Sequence, residues 1–307
     1  MKHNQVRQVV FPILAAFIWG TAFVAQDMCA DAIGTFAFNA ARYFIAVLTL
    51  LVVIFISDKL KKDKPSLTAI QRKAANKRLW LGGLCCGAAL AIASNFQQAG
   101  LVAGTEAGKA GFITALYVVL VPVFGLFFKR KVNLPTWIAV VCSVVALYLL
   151  CIKGDFSLAP GDFLVLMCAV CFAVHILVID YYSPKVDGVK MSCIQFFVCG
   201  IASLPFMFLT ETPQIGNILD ARMPILYAGV MSCGVAYTLQ ILGQKHANPA
   251  IASLLLSMES CFSVLSGWII LGETLSAREG IGCVLMFVAI ILAQLPDKRE
   301  KLKNGQA

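Results

Sequence analysis

Ten runs of apolar residues follow one another along the chain, with only short polar connections between them. They occupy residues 9–26, 34–57, 79–100, 106–128, 135–152, 161–180, 191–209, 223–243, 248–271 and 277–295. A helix rises about 1.5 Å per residue, so about 20 mostly apolar residues cross about 30 Å of hydrocarbon, and the runs fit that length. None shows the period-two alternation of a half-buried strand, and in lipid only helices or closed barrels satisfy every backbone N–H and C=O. The pattern predicts an all-α integral membrane protein of ten transmembrane helices. Lys2 and Arg7 give the first run the look of a secretory signal. It leads straight into further spans without a small-residue cleavage site, so it is read as helix one.

Composition agrees: 60% of the 307 residues are hydrophobic and 13% charged, which leaves no room for a water-soluble domain. The basic residues set the orientation. With a cytoplasmic N-terminus, 20 of the 25 Lys and Arg fall on the cytoplasmic side, Lys153, Arg222 and Arg278 fall opposite, and Arg42 and Lys109 stand near helix ends. That asymmetry predicts two cytoplasmic termini in a multi-pass protein of the cell (inner or plasma) membrane. It also accounts for the net charge of +9 through short juxtamembrane loops beside anionic lipid, without a nucleic-acid partner. Nearly all of the twelve cysteines lie within spans and read as small apolar packing residues, with Cys29 near the outer surface. Cys168 and Cys171 form a C-x-x-C with no second pair at zinc-site spacing, so neither a metal nor a cofactor is expected.

The chain is also a tandem. A shift of 143 carries 94–150 onto 237–293 without a gap, setting Gln97 on Gln240, Gly100 on Gly243, Ala107 on Ala250 and Ile138 on Ile281, with coincident span boundaries. A shift of 153 sets Trp19-Gly20-Thr21 on Phe172-Ala173-Val174. The expected organisation is a cytoplasmic N-terminus (1–8), a first five-helix repeat (9–152), a second (160–295) and a basic cytoplasmic tail (296–307). Five spans is an odd number, so the second repeat enters from the opposite side, and inverted repeats suit alternating access. Gly100, Gly104 and Gly108 recur every four residues, and Gly82 with Cys86 matches Gly229 with Cys233 as small-xxx-small pairs. Pro122 predicts a kink in the fourth span, with Leu265 as its equivalent in the second repeat.

Charged groups at membrane depth cost about 2.5–3.5 kcal/mol on insertion scales, so each faces a partner or a watery cavity. Glu259 lies about 17 Å from either end of its span, and is read either as a proton- or cation-coupling group or as a protonated acid bonded to a neighbouring helix. Lys109 either pairs with Glu106 three residues earlier or attracts an anionic group on a substrate. Asn95, Gln97 and Gln240 are candidates for a central polar cavity or for interhelical hydrogen bonds. His175 is either a satisfied buried imidazole or a proton relay. Trp19, Trp80, Trp137 and Trp268 are interfacial candidates, with Trp19 deep enough to line a cavity.

Several segments together carry a resemblance. They are Ala15-Ala16-Phe17-Ile18-Trp19-Gly20, Ala41-Arg42-Tyr43, Lys109-Ala110-Gly111-Phe112-Ile113-Thr114-Ala115-Leu116-Tyr117 leading to Val121-Pro122, and Ala252-Ser253-Leu254-Leu255-Leu256-Ser257-Met258-Glu259 leading to Leu271-Gly272-Glu273-Thr274. In order, spacing and duplication the chain resembles the drug/metabolite transporter (DMT) superfamily, EamA type, over about residues 9–295. The resemblance implies a secondary carrier of a bacterial inner membrane, commonly an exporter of amino acids, related metabolites or drugs. It also implies a cavity formed mainly by helices one to four and six to nine, with helices five and ten peripheral. Two positions depart from the family pattern: Ser260 stands where a proline often follows the helix-nine glutamate, and Lys129-Arg130-Lys131 stands where a glutamate often ends helix four. Glu273 is accordingly read as an outer-surface structural residue.

No H-E-x-x-H, G-x-S-x-G or P-loop is present, and the chain is not expected to be an enzyme. The expectation is alternating-access transport of a small polar or amphipathic metabolite, with the bilayer, that small molecule and a proton or other coupling ion as partners. The alternative is a flippase for an amphipathic lipid-linked intermediate.

Overall fold

The computed structural model describes residues 2–30, 33–60, 68–105, 107–129, 132–152, 159–270, 274 and 276–293. Among the described residues the regular structure is entirely helical. The first half contributes α1 (Lys2–Ala30), α2 (Thr35–Leu60), α3 (Ala69–Val102), α4 (Ala107–Ala115), α5 (Tyr117–Phe127) and α6 (Leu134–Cys151). The second contributes α7 (Pro160–Tyr182), α8 (Gly188–Thr210), the short α9 (Ile215–Asp220) and α10 (Arg222–Tyr227). After α10 come a π-helical segment (Ala228–Ala236), α11 (Tyr237–Gln244), α12 (Pro249–Leu256), α13 (Glu259–Ile270) and α14 (Ala277–Ala293). Glu106, Lys153, Glu273 and the basic tail lie outside the described residues.

Among the described residues eight helical stretches are long and apolar enough to cross a membrane: α2, α3, Lys109–Phe127, α6, α7, α8, Arg222–Gln244 and Pro249–Ile270. The apolar part of α1, Val6–Ala22, and α14 have 17 residues each, at the lower limit for a crossing. Burial is inverted relative to a water-soluble protein. Leu48, Leu51, Val52, Phe55 and Ile56 on α2 face outward, whereas Asn39, Arg42, Gln97, Gln98, His175, Gln195 and Gln240 are buried. An exterior of this kind is matched to hydrocarbon.

Polar side chains define several helix starts. Thr68 and Gln71 form a reciprocal capping box that extends α3 ten residues before the apolar run begins. Asp187 accepts from the N–H groups of Val189 and Lys190 to start α8, and Asn248 caps α12. The start of α2 is capped from far along the chain: both Glu211 oxygens accept at 2.8 Å, from the N–H groups of Phe36 and Ala37. That carboxylate also occupies the space where Gly34 would carry a Cβ.

Two spans are interrupted in mid-course. In the fourth, the break falls at Leu116, where N–H groups reach three residues back instead of four (Leu116 to Ile113, Val119 to Leu116). The helix then runs unbroken through Pro122, so the discontinuity lies six residues before the proline expected to cause one. In the ninth, Met258 bonds to Leu255 and Ser260 to Ser257 in the same tightened manner, with no proline nearby. These are single 3₁₀ turns within α-helices. The tandem register places them together: α5 and α13 begin 142 residues apart, α4 and α12 also 142, and α6 and α14 143. The first residues of α2 and α8 are 153 apart, and α1 and α7 end 152 apart.

The largest helix contacts are α3 with α7 and α8, α6 with α14, α2 with α8 and α1 with α13. Glycines set several of these distances. A Cβ on Gly87 would stand 2.8 Å from the Gln195 carbonyl oxygen, and one on Gly229 would stand 2.9 Å from that of Arg42. The Gly100 face abuts Val165 and the Gly161 carbonyl, whereas Gly104 sits in the turn at φ 89° with open space around it. Among the twelve cysteines, all unbridged, Cys29 is buried against the α2 start, while Cys85 is exposed.

Gly20 lets α1 approach α13 at the interruption, since a Cβ there would stand 2.5 Å from that of Phe262 and 2.8 Å from the Glu259 carbonyl oxygen. Gly20→Ala should therefore lower the thermal midpoint of the purified protein, by an overpacking cost of about 1–3 kcal/mol. Gly111→Ala, facing open space in α4, should leave it unchanged or raise it. Equal midpoints for both variants would mean that the α1–α13 approach is not tight.

Candidate functional site

Between the two interruptions lies a central cleft of about 570 Å³, the space at its mouth included. It is lined by Trp19 and Gln26 of α1, Arg42 of α2, Gln97 of α3, Thr114 of α4, Tyr117 of α5 and Phe172 and Ile176 of α7. Ser232 of the π segment, Tyr237 and Gln240 of α11, Leu256 of α12 and Glu259 of α13 complete it. Helices α6 and α14 contribute no lining residue and pack along each other.

The interruptions bring their polar groups into contact. Tyr117 is the first residue of α5 and Glu259 the first of α13, and the Tyr117 hydroxyl donates to Glu259 Oε1 at 3.2 Å. Glu259 is 8% exposed although it stands mid-span. Gln97 donates to the Thr114 hydroxyl at 3.2 Å, tying α3 to α4. Gln240, its counterpart at the 143 shift, keeps an unbonded buried carbonyl oxygen among the described residues. Trp19 lies along Tyr237 with ring centroids 4.6 Å apart, and its indole N–H donates to the Ser232 carbonyl at 3.3 Å. That carbonyl also accepts from the Tyr237 N–H, five residues on, which is the π-helical register. The wider helix turn thus presents Ser232 and Tyr237 to the cleft together, and π segments recur at functional sites.

Of the residues singled out in the sequence, Glu259, Gln97, Gln240 and Trp19 line the cleft. The other three are placed behind it. Asn95 accepts at 2.8 Å from Asn39 across the α2–α3 contact. His175 is fully buried, with Nε2 3.1 Å from Gln195 Oε1 and its ring in a T-shaped contact with that of Tyr237. Lys109 lies 2.5 Å from Asp162 Oδ2 at the start of α7, and Asp162 further accepts from the Thr105 hydroxyl and the Ala159 N–H. Glu106, its other candidate partner, lies outside the described residues.

Arg42 was not among the site residues singled out in the sequence, although the second apolar run already begins eight residues before it; α2 starts at Thr35, and the guanidinium is 6% exposed. One terminal nitrogen donates to Gln26 Oε1 at 3.2 Å and the other to the Tyr43 hydroxyl at 3.3 Å. The rings of Phe38 and Tyr43 lie 5.0 and 5.1 Å from its central carbon. Tyr43 passes the chain on, donating to Ser94 at 2.5 Å, and Ser94 donates to the Leu90 carbonyl. Tyr117, Tyr237, Gln26, Thr114 and Ser232 were also missed. For Arg42 the usable signal was its cost, a permanent cation two turns inside a span.

A bundle of apolar-faced helices around a polar interior cleft fits a membrane transport protein, and comparison with known proteins gives that class. The sequence matches the EamA-like transporter family at residues 7–152 and 159–295, and the chain belongs to that family. It is 31% identical to an uncharacterized transporter of Archaeoglobus fulgidus, over 92% of this chain and 84% of that one. A WAT1-related chloroplastic protein of Arabidopsis thaliana is 23% identical over 92% of this chain and 68% of its own length. A solved crystal structure superposes with a TM-score of 0.78, covering 96% of this chain and 98% of its own at 17% identity, which supports the fold. These relationships indicate a transporter rather than an enzyme.

The Lys109–Asp162 contact is a partly buried ion pair between α4 and α7, with Asp162 1% and Lys109 16% exposed. Lys109→Ala and Asp162→Asn should each lower unfolding stability. The double variant should lose less than their sum, by a coupling of about 1–3 kcal/mol. Additive losses in a double-mutant cycle would show that the two side chains do not act as a pair.

Proposed function

We propose that the protein is a secondary carrier that moves a small polar or amphipathic metabolite by alternating access, with exchange between two five-span halves of opposite orientation. Both termini face the cytoplasm in this reading, which the distribution of basic residues supports. The supporting observation is the meeting of Tyr117 and Glu259 at helix interruptions 142 residues apart, inside a polar cleft that draws on both halves. Discontinuous helices at matching places in two repeats mark binding sites in carriers, because backbone freed from the regular ladder is tolerated where it faces protein or a water-filled cavity.

In this reading Glu259 couples a proton or other cation to substrate movement. Carboxylate and phenol form a pair that opens when the halves move apart, exposing the acid to one side and then to the other. Trp19, Gln97 and Gln240 line the substrate path; His175 and Asn95 support the helices behind it, and Lys109 braces the ends of α4 and α7. Export is the expected direction, the orientation commonly implied for this family.

The test begins with a metabolite library screened by thermal shift on purified protein, since a ligand of the folded state raises its stability. Flux into proteoliposomes under imposed pH and sodium gradients follows. Glu259→Gln should retain the fold and lower gradient-driven flux by an order of magnitude or more. Wild-type rate and unchanged gradient dependence in that variant would remove the coupling role, and no flux of any library compound would remove the carrier reading.

A further inference from the structure

We propose that Arg42 is an anion-binding site within the cleft, and that the transported molecule carries a carboxylate which docks on it. This deepens the carrier reading and rests on it. The argument starts from an imbalance of charge. A guanidinium is permanently protonated, and placing it among apolar helices is costly unless an anion or a dense set of acceptors surrounds it. Neither is present. Among the described residues Arg42 makes no ion pair, and its two hydrogen bonds go to the neutral Gln26 and Tyr43. Its Nε has no acceptor at all.

Five N–H bonds radiate from a guanidinium. Two are engaged and three remain, including that of Nε, on a side chain that itself lines the cleft. Phe38 and Tyr43 hold the group, so its donors are fixed before a ligand arrives. A fixed guanidinium matches a planar carboxylate, which can take two parallel N–H bonds. The cleft lining also contains apolar and aromatic side chains, Trp19, Phe172, Ile176 and Leu256. The ligand class is therefore a small organic acid with an apolar or aromatic body, its carboxylate on Arg42.

The repeat supplies an independent contrast. At the shift of 153 that brings the start of α2 onto that of α8, Arg42 falls on Gln195. That residue is neutral, fully buried and bonded to His175. This place in the fold thus accommodates an uncharged amide in one half, and the cation in the other half answers to something besides packing.

The experiment uses the full-length protein in nanodiscs, with four probes of similar shape: 3-phenylpropionate, phenylalanine, 3-phenylpropionamide and phenethylamine. Binding is followed by thermal shift and by tryptophan fluorescence, Trp19 lying in the cleft. Both acids are expected to bind, with the amide and amine at least about tenfold weaker. Arg42→Gln should weaken the acids about tenfold or more without changing the amide, and Arg42→Lys should recover part of the loss. Stronger binding of phenylalanine than of 3-phenylpropionate would add a site for the amino group; equal binding of the two would make the carboxylate sufficient, and either supports the proposal. Should Arg42→Gln fail to fold, the acid-against-amide comparison on the wild type and the lysine variant still decide the matter. The proposal is overturned if the amide binds as well as the acid, if no acid binds, or if Arg42→Gln binds acids normally. In those cases continued flux of amines or neutral compounds would leave the carrier reading standing, and loss of all flux would remove both.

Discussion

A peptide backbone within hydrocarbon has no water to complete its hydrogen bonds, and this constraint governs the rest of the structure. Most of the chain meets it with continuous helices whose outward faces are apolar. A polar interior needs departures from that regularity, and the departures are confined to places where protein or the cleft faces them. The two 3₁₀ turns at Leu116 and Met258 and the π segment at Ala228–Ala236 all border the cleft. Each re-aims side chains without abandoning the hydrogen-bonded ladder, by tightening it to three residues or widening it to five.

How much of this is legible in the sequence depends on the length scale. The spans are legible because hydrophobic length is a sum over some twenty residues, and no one neighbour changes it. The tandem register is legible for a related reason: a shift of 143 carries whole elements onto one another, and the interruptions follow it although no proline marks either of them. Pro122 looked like the obvious place for a break, yet a proline in the first turns of a new helix is compatible with that helix, and the break precedes it. The π segment left no signal in composition, since Ala-Gly-Val-Met-Ser-Cys-Gly-Val-Ala is also an ordinary small-residue packing stretch.

Candidate residues divide on the same principle. Glu259, Gln97, Gln240 and Trp19 were identifiable because membrane depth alone makes a polar or amphipathic side chain face inward. Lys109 and His175 were ambiguous because their surroundings come from residues distant in the chain, Asp162 for one and Gln195 for the other. Arg42 shows the limit of a reading based on span ends. The apolar run already placed it eight residues inside the second span, but its surroundings, Gln26 of α1 and the cleft lining drawn from both halves, come only with the fold.

The two halves are alike in helix boundaries and unlike in chemistry, and the differences concentrate at the cleft. Helix α3 runs unbroken where its counterpart is π-helical, Tyr117 stands where the second half has Glu259, and Arg42 stands where it has Gln195. A strictly symmetric pair of halves would offer a ligand the same groups from both sides. Divergence instead gives the cleft a single cation and a single carboxylate among its lining residues, one from each half. The unequal side chains thereby give the space between the two halves a direction, with a cation toward one part of its lining and an acid toward another.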